Sequence, residues 1–484
     1  MSNLIALAIS GAYIVLVLVV ATLVAKYTDG AAENSRKLVH ILVGNWVFIT
    51  PYFTSLWAVI LVPAVFVVVN SLSLKYKLIP AMERDDDSLG TVYYAISMLL
   101  LAGGAFVLGW PLLSFAGLLT MAYGDGFAAI VGARWNRIRP FAQAPGKTLS
   151  GTLTVGAAGF LFTVVAIALF ERSAFSTAGG VGRVLLIALL TAVIGAYAEL
   201  GGKRGCDNLT LPLATGLTAS LLFYYGSPGL LVYMTIALGL LVAAYSVRAI
   251  THDGILAALL TALTLYTLGN LWVAAALLVF FALGSAVSKI KNDTKRTAES
   301  GQESSGARTW RQVLANSLPA CLIMWVNQFN PGHPFLGLLA ITLFAAAQAD
   351  TFSSELGMLS KSKVFNILNG KPVPSGLSGG VSWAGFGAGL LGSMLLSLLA
   401  IPDYGLVGFV FSASIGFAGS VLDSVLGAAL QRKYVTETGL LQDRQDSLRS
   451  APAAGLKVIS NNAVNLMTLS ILTLAAMVLY YIQY

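Results

Sequence analysis

The sequence predicts an all-α, polytopic transmembrane protein with about 16 spans in two distantly similar halves. Only 10% of its 484 residues are charged and 57% are hydrophobic, and the mean hydropathy is +0.80. A water-soluble domain with so few charges would not remain in solution. The apolar runs are mostly about 16 to 25 residues long, the length of a helix that crosses a bilayer. Ten-residue segments of alternating polarity are absent, which argues against an outer-membrane β-barrel.

Each predicted span is an apolar run that ends at charged or turn-forming residues. In chain order the sixteen runs are 5–25, 38–52, 56–72, 91–108, 111–131, 150–170, 184–200, 211–226, 229–248, 254–269, 272–288, 313–329, 335–356, 377–400, 405–431 and 454–482. The first run has no basic segment before it and is long for a secretion signal, so it predicts a retained helix. The two cysteines, Cys206 and Cys321, imply neither a disulfide framework nor a zinc site.

The links between the predicted spans are basic on one side of the membrane only. When successive links are assigned to alternate sides, all of the 29 Lys and Arg residues except Arg172 and Arg183 fall on the same side. An excess of Lys and Arg marks cytoplasmic loops. The pattern therefore predicts an integral protein of the cell membrane with its active sites on the cytoplasmic side and both termini outside. It also accounts for the net charge of +8 without a nucleic-acid partner.

A short polar pattern occurs once in each half of the chain. An Asp is followed two residues later by Phe and seven residues later by Gly, at Asp125, Phe127 and Gly132 and again at Asp350, Phe352 and Gly357. In each half a basic loop follows, and then a segment with LSG, at 149–151 or 377–379, is predicted to open the next helix. We therefore predict an internal duplication with a boundary near residue 227 and domains at 1–227 and 228–484.

Several carboxylates lie in apolar segments or at their edges, where each costs roughly 2.5–3.5 kcal/mol at a helix centre. They are Asp125, Glu199, Asp350, Glu355 and Asp423. The structural alternative is that each pairs with a nearby Lys or Arg or reaches water. However, the free N–H groups of a Gly/Ser-rich turn at a helix start bind phosphate, and carboxylates beside phosphates hold Mg²⁺. With Lys147 as a further cation, these parts predict phosphoryl transfer.

The first half resembles the phytol kinase and dolichol kinase family of CTP-dependent membrane kinases. The matching stretches are SRKLVH (35–40), ERDDDSLGTVYY (83–94), YGDGFAAIVG (123–132), GKTLSGTLTVG (146–156) and ELGGKRGCDNLTLP (199–212). The resemblance implies CTP as phosphate donor and a prenyl alcohol from the bilayer as acceptor. GKTLSGT lacks the full P-loop spacing and follows no predicted strand, which excludes a Walker or Rossmann fold.

The second half resembles the phytyl-phosphate kinase family. The matching stretches are FFALGSAVSK (280–289), RQVLANS (311–317), ADTFSSELG (349–357), VPSGLSGGVSWAG (373–385), GSVLDSVLGAALQ (419–431) and NNAVN (461–465). That family more often has Asp where this chain has Asn462. The two resemblances together imply a natural fusion of two kinases. The first converts a prenyl alcohol such as phytol or geranylgeraniol to the monophosphate, and the second converts the monophosphate to the diphosphate.

The resemblances and the side-chain chemistry together predict the site residues. The predicted catalytic residues are Asp125, Lys147, Asp350 and Asp423. The predicted Mg²⁺ ligands are Asp125, Glu199, Asp207, Asp350, Glu355 and Asp423. The predicted nucleotide- and phosphate-binding residues are Arg36, Lys37, His40, Thr148, Ser150, Gly151, Thr152, Asn208, Lys289, Arg311, Asn316, Ser354, Ser378, Gly379, Ser424, Asn461 and Asn465.

Structural alternatives exist for most of these residues. The basic ones also suit topology anchors or headgroup contacts, the serines suit close helix packing, and the asparagines suit interhelical hydrogen bonds. Two other functions are compatible with the same pattern. One is a cytidylyltransferase related to CDP-diacylglycerol synthase, and the other is a secondary transporter with repeated halves, which would place its carboxylates near the bilayer midplane.

Overall fold

The computed structural model describes residues 2–27, 31–76, 89–135, 138–139, 146–202, 205–303, 306–329, 333–436, 439–445 and 451–483, and at 25, 27, 31–36, 334 and 479–483 it describes the backbone alone. The chain forms two compact units, Met1–Gly226 and Ser227–Tyr484. Among the described residues, regular structure is helical apart from two short two-stranded sheets. The predicted all-α membrane fold is confirmed.

The first unit contains nine α-helices in its described ranges. They are α1 (Asn3–Tyr27), α2 (Ala31–Gly44), α3 (Leu56–Tyr76), α4 (Gly90–Leu108), α5 (Pro111–Leu119), α6 (Gly126–Arg134), α7 (Leu149–Phe170), α8 (Gly180–Leu200) and α9 (Asp207–Tyr225). Residues Leu112–Leu119 of α5 are buried on every side, because the helix is apolar all round and packs against α4, α7 and α9. This central helix is followed directly by the polar segment that contains Asp125.

The second unit has nine further helices in the described ranges. They are α10 (Pro228–Ser246), α11 (His252–Leu268), α12 (Leu271–Lys289), α13 (Asp293–Ser300), α14 (Trp310–Phe329), α15 (Pro334–Gly357), α16 (Trp383–Ser397), α17 (Ile401–Leu430) and α18 (Asn461–Gln483). Strands β1 (Phe365–Asn366) and β2 (Gly380–Val381) pair antiparallel, as do β3 (Tyr434–Val435) and β4 (Leu441–Gln442). The central helix is α15, which packs against α12, α14, α16 and α17. Asp350 lies in its last two turns.

Within the described part of the chain, the candidate spans are fewer than the sixteen predicted apolar runs. All sixteen predicted runs correspond to helices, but only 11 segments of the described chain have the length and hydropathy of a span. One of these, Trp383–Leu430, contains two predicted runs, which meet at the non-helical Gly405. The remaining four predicted runs, 38–52, 211–226, 254–269 and 313–329, are too short or too polar. The helices that contain the second and fourth of these runs, α9 and α14, carry Asn208 and Asn316, which belong to the candidate sites.

Two helix starts and one predicted loop differ from the sequence prediction. The helix expected at 377–400 begins at Trp383, because Ser382 caps it by accepting a hydrogen bond from the N–H of Gly385 at 3.1 Å. The LSG segment at 377–379 lies instead in the turn before β2. The helix expected from residue 454 begins at Asn461. The segment 291–308, whose composition predicts a flexible loop, contains α13.

A π-helical turn, Thr120–Asp125, joins α5 to α6. Such a turn inserts an extra residue into the helix and changes the direction of the side chains that follow it. Here it ends at Asp125, so the carboxylate leaves the helix at the point where the regular hydrogen-bond pattern is interrupted. Because π-bulges occur frequently at functional sites, this position marks the end of the buried central helix as a candidate site.

Candidate functional site

The first unit brings three predicted carboxylates together with Lys147. One oxygen from each of Asp125, Glu199 and Asp207 lies within 4.8 Å of the others. Lys147 Nζ forms an ion pair with Glu199 and another with Asp207 Oδ2, the latter at 3.1 Å. The Glu199 side chain is 3% exposed, whereas that of Asp125 is 30% exposed. The cluster is therefore buried at Glu199 and reaches solvent at Asp125.

The four side chains come from four helix ends. Asp125 ends the π-helical turn, Glu199 is in the last turn of α8, and Asp207 is the first residue of α9. Lys147 directly precedes Thr148, the N-cap residue of α7. The link from α8 to α9 passes close to the cluster, since a Cβ on Gly202 would lie 2.6 Å from Oδ2 of Asp207. Residues distant in the sequence thus meet because these helix ends converge.

Lys147 is held as a cation by its two acidic partners. Burial alone would lower the pKa of Lys147, but Glu199 and Asp207 raise it further than burial lowers it, so the net pKa is raised. Oε2 of Glu199 is buried without a hydrogen-bond partner. The lysine therefore satisfies only part of the acceptor capacity of this cluster.

The three carboxylates also form a ligand set that fits Mg²⁺. This ion prefers oxygen ligands and usually takes only a few of them from the protein, the others coming from water or phosphate. Within the described ranges, no other group of three Asp, Glu, His or Cys side chains has this spacing. The unpartnered Oε2 of Glu199 and the partly exposed Asp125 leave acceptor oxygens for a second cation beside Lys147. Asp350, Glu355 and Asp423 of the second unit do not form a group of this kind.

The start of α7, predicted to bind nucleotide phosphates, is largely saturated by contacts within the protein. Thr148 Oγ1 accepts from the N–H of Gly151 at 3.1 Å, and the N–H of Leu149 donates to Ile138 O at 3.0 Å. Ser150 Oγ donates to Trp135 O at 3.1 Å. Thr152 Oγ1, in contrast, is buried without a partner. The predicted phosphate role of this turn therefore depends on few free donors.

His40 of α2 lies beside Asp125. Its Nε2 is 3.4 Å from Asp125 Oδ2 and 3.3 Å from Met121 O. The ring packs edge-on against Tyr94, whose hydroxyl donates to His40 O at 2.8 Å. Lys37 is half-buried one turn earlier on α2, and the Arg36 side chain lies outside the described part of the chain.

Asn208, which follows Asp207 at the start of α9, is fixed on one side only. Its Nδ2 donates to Gly90 O at 3.0 Å. Its Oδ1 is buried and accepts no hydrogen bond. The amide is therefore oriented by α4 while its carbonyl oxygen is left for another donor.

The second unit contains a cavity of about 390 Å³. Most residues predicted for this half line it, and they are Asp350, Glu355, Asp423, Lys289, Asn316, Ser354, Ser378, Gly379, Ser424, Asn461 and Asn465. The exception is Arg311, which is exposed and lies with its guanidinium 5.4 Å from the centre of the Trp310 ring. Their roles remain predictions.

Two of the three carboxylates have specific partners. Glu355 forms an ion pair with Lys295 at 2.6 Å and accepts from Ser288 Oγ at 2.8 Å. Asp423 Oδ2 accepts from Thr468 Oγ1 at 2.9 Å. Asp350 lies on the cavity wall, and its backbone carbonyl accepts from Ser354 Oγ at 3.0 Å.

The turn at 377–379 is held by a buried carboxylate. Ser378 donates to Asp443 Oδ2 from its N–H at 2.9 Å and from its hydroxyl at 2.6 Å. Burial raises the pKa of Asp443 to about 6, although both bonds from Ser378 act in the opposite direction. Gly379 has a φ of +78°, and a Cβ there would lie 2.3 Å from Cβ of Ala428. Gly379 is thus required for close packing against α17.

The asparagines and the lysine on the cavity wall also have contacts. Asn465 Nδ2 donates to Asn316 Oδ1 at 3.3 Å, which links α18 to α14. The N–H of Asn461 donates to Glu303 Oε2 at 3.0 Å. Lys289 Nζ donates to Val247 O at 2.7 Å.

Sequence reasoning missed four residues of this cavity region: Lys295, Glu303, Arg308 and Asp443. Lys295 is fully buried and also donates to Ile290 O at 2.9 Å. The N-cap of α13, in which Asn292 accepts from the N–H of Lys295 at 2.8 Å, is a sequence signal that could have indicated this helix.

The two units share a local arrangement in which a glycine faces the N-cap of the following helix. A Cβ on Gly132 would lie 2.7 Å from Thr148 Oγ1. A Cβ on Gly357 would lie 3.3 Å from Cα of Gly385 and 3.8 Å from Ser382 Oγ. In both units the cap hydroxyl accepts from the N–H three residues later at 3.1 Å. The counterpart of Thr148 is therefore Ser382, and the two LSG segments do not correspond.

Comparison with known proteins identifies relatives among membrane proteins. Residues 235–473 match the family described as integral membrane protein DUF92. The chain is 37% identical over 217 residues to the phytol kinase of Synechocystis, covering 44% of this chain and 90% of that protein. It is 33% identical over 181 residues to an uncharacterized membrane protein of Methanocaldococcus jannaschii, covering 37% of this chain and 72% of that one.

A further relative is the probable phytol kinase 1, chloroplastic, of rice. The two chains are 29% identical over 215 residues, which cover 40% of this chain and 65% of the rice protein. No solved structure matches the chain.

Proposed function

Because the chain belongs to the phytol kinase family of integral membrane proteins, we propose that it is a bifunctional prenyl kinase. The first unit phosphorylates the hydroxyl group of a long-chain prenyl alcohol, and the second unit phosphorylates the resulting monophosphate. The observation that carries this proposal is the convergence of Asp125, Glu199 and Asp207 on Lys147. That set supplies the acidic and cationic groups that phosphoryl transfer requires.

In the first step the alcohol oxygen attacks the terminal phosphorus of a nucleoside triphosphate. The bond from that phosphorus to the bridging oxygen breaks, and the nucleoside diphosphate leaves. Asp125, the most exposed of the three carboxylates, accepts the hydroxyl proton, and His40 at 3.4 Å from it stabilises its orientation. Lys147 neutralises charge on the transferred group. Mg²⁺ bound by Asp125, Glu199 and Asp207 would add charge neutralisation at the phosphates.

The second step is supported by the cavity of the second unit. Its wall combines the carboxylates Asp350, Glu355 and Asp423 with Lys289 and the Ser378–Gly379 turn. The stretches 349–357, 373–385 and 419–431, which resemble phytyl-phosphate kinases, contribute most of these residues. Here the monophosphate oxygen is the nucleophile, and the product is the diphosphate.

CTP is the proposed donor in both steps. This assignment is supported by the resemblance of 123–132 and 146–156 to CTP-dependent kinases. The positive-inside pattern favours sites at the cytoplasmic surface, where a soluble nucleotide meets a prenyl hydroxyl held near the lipid headgroups. Two sites on one polypeptide also raise the local concentration of the monophosphate.

The proposal is tested with the purified full-length protein in lipid nanodiscs. Prenyl alcohols are supplied with CTP labelled at either the α- or the γ-phosphate, with the other nucleoside triphosphates as comparison. We expect the γ label to appear first in the monophosphate and then in the diphosphate. Incorporation of the α label would instead identify a cytidylyltransferase, and the absence of any transfer would overturn the kinase assignment.

A further inference from the structure

Arg308 is a half-buried cation on the wall of the cavity in the second unit, and the sequence patterns do not single it out. Lys289 and Lys291, which also line this cavity, have partners: the carbonyl of Val247 and the carboxylate of Glu299, respectively. Among the described residues, the Arg308 guanidinium has no hydrogen-bond or ion-pair partner. Its contacts are with two aromatic rings, since its central carbon lies 5.3 Å from the Phe280 centroid and 5.6 Å from that of Phe281.

The backbone of Arg308 is fixed at both of its polar groups. Its N–H donates to Ala249 O at 2.9 Å, and its carbonyl accepts from the N–H of Thr251 at 3.0 Å. The hydroxyl of Thr251 donates to the same carbonyl at 3.1 Å. The segment therefore pairs with the link between α10 and α11, which fixes the backbone of Arg308 beside the cavity.

Space for the guanidinium is provided by a glycine on α12. A Cβ at Gly284 would lie 2.5 Å from Nη2 of Arg308, closer than side chains tolerate. Burial lowers the pKa of Arg308 to about 10, and Glu355 acts against this effect, so the group remains a cation at neutral pH. An arginine with a fixed backbone, stacked rings and unoccupied donors is arranged for bidentate recognition of a phosphate.

We propose that Arg308 binds a phosphate group of a ligand in the second cavity, as a positioning residue for the monophosphate of the prenyl substrate. This inference rests on the proposed function of the second unit. A nucleoside triphosphate offers the same phosphate chemistry, so the test must separate the two ligands. The fork of the guanidinium matches two phosphate oxygens, which a lysine ammonium does not.

The test measures equilibrium binding to the full-length protein in nanodiscs, with geranylgeranyl monophosphate, geranylgeraniol and CTP as separate probes. Arg308→Gln should raise the Kd for the monophosphate by about 10- to 100-fold, because charge-assisted bidentate bonds are lost. The Kd for geranylgeraniol should stay within about twofold, since the alcohol carries no phosphate. Arg308→Lys should recover only part of the loss.

Two further variants guard against misfolding and nonspecific charge effects. Gly284→Ala keeps Arg308 but displaces its guanidinium. It should therefore weaken binding of the same ligand that Arg308→Gln affects. Arg296→Gln is the matched control, because Arg296 is 71% exposed on α13 and its ion pair with Asp293 is long, at 3.8 Å.

The outcomes are separable. A rise in Kd confined to CTP would still support phosphate binding by Arg308, and it would show that the bound phosphate belongs to the nucleotide and not to the prenyl monophosphate. Unchanged Kd values for both phosphate ligands in folded Arg308→Gln and Gly284→Ala, or a wild type that binds neither, would overturn the inference. If the wild type binds geranylgeranyl monophosphate through Arg308 but transfers no phosphate to it, the proposed kinase function fails and this inference stands.

Discussion

Lys147 Nζ donates a hydrogen bond to Asp207 Oδ2 at 3.1 Å and so joins the start of α7 to the start of α9. The same nitrogen contacts Glu199 at the end of α8. Three helix ends of the first unit are thus tied by one cation. This arrangement makes Lys147 a structural centre of the unit, and the proposed function assigns its charge to the transferred phosphoryl group.

We predict that Lys147→Met lowers phosphorylation of the prenyl alcohol by at least about 100-fold, because a cation aimed at developing charge is lost. Lys147→Arg should retain part of the activity, since it keeps the charge. Lys75→Met is the control, as Lys75 is exposed and lies over the Tyr76 ring at 5.1 Å. Initial rates with saturating CTP measure the effect. An equal loss in Lys75→Met would show that the charge acts nonspecifically.

Removing one carboxylate should change the metal requirement of one step only. Glu199→Gln eliminates a charged oxygen ligand, so the half-saturating Mg²⁺ concentration for the alcohol step should rise by at least about tenfold. Phosphorylation of supplied prenyl monophosphate should keep its Mg²⁺ dependence, because the proposed function assigns that step to carboxylates of the second unit. A Mg²⁺ titration at fixed CTP measures both. If the alcohol step showed the same titration curve as wild type, Glu199 would not be a metal ligand.

The turn at Gly379 provides a stability prediction with a matched control. Gly379→Ala combines a left-handed backbone, costing about 1–2 kcal/mol, with overlap against Ala428 that adds roughly 1–3 kcal/mol. Gly370→Ala carries only the backbone term, because Gly370 has a φ of +68° and nothing within 4 Å of its Cβ position. Gly379→Ala should therefore lower the Tm more than Gly370→Ala does. Equal Tm values would contradict the close packing of this turn.

The buried carboxyl group of Asp443 should make the stability of the protein depend on pH. Burial raises its pKa to about 6, so between pH 4 and 6 the folded protein binds more protons at this group than the unfolded chain. Its contribution to stability is then present below about pH 4, falls by roughly 3 kcal/mol in total as the pH rises from about 4 to 6, and loses roughly half of that amount above pH 5. Asp443→Asn cannot titrate and keeps an acceptor for Ser378.

The difference in Tm, variant minus wild type, should accordingly increase between pH 5 and pH 7.5. Thermal unfolding in detergent at these two values measures it. A difference that decreases with pH would mean that the carboxylate is stabilised, and not destabilised, in its ionised form.

The helices and the carboxylate cluster of the first unit could be predicted from the sequence for a simple reason. Apolar runs fix the helices, and an acid in such a run needs a partner, so Asp125, Glu199 and Lys147 were all recognisable before their contacts were known. The link from Asp125 to His40 depends on packing of α2 beside the π-helical turn, which no local pattern encodes.

The cavity of the second unit was harder to predict from the sequence. The repeated LSG suggested that Ser378 opens a helix, whereas Ser382 does so and Ser378 binds Asp443. Lys295 and Arg308 lie in a polar segment whose composition is that of a loop. Their positions follow from tertiary contacts with Glu355, Phe280 and Phe281, and such contacts have no signature in sequence spacing.

The central claim is that two separate sites act in succession, one in each unit. Its most direct test compares Asp125→Asn with Asp350→Asn in an assay that resolves prenyl alcohol, monophosphate and diphosphate over time. The account predicts that Asp125→Asn forms no product from the alcohol but converts supplied monophosphate to diphosphate at the wild-type rate, whereas Asp350→Asn accumulates monophosphate. If either single substitution abolished both steps equally in a folded protein, the two-site account would be contradicted.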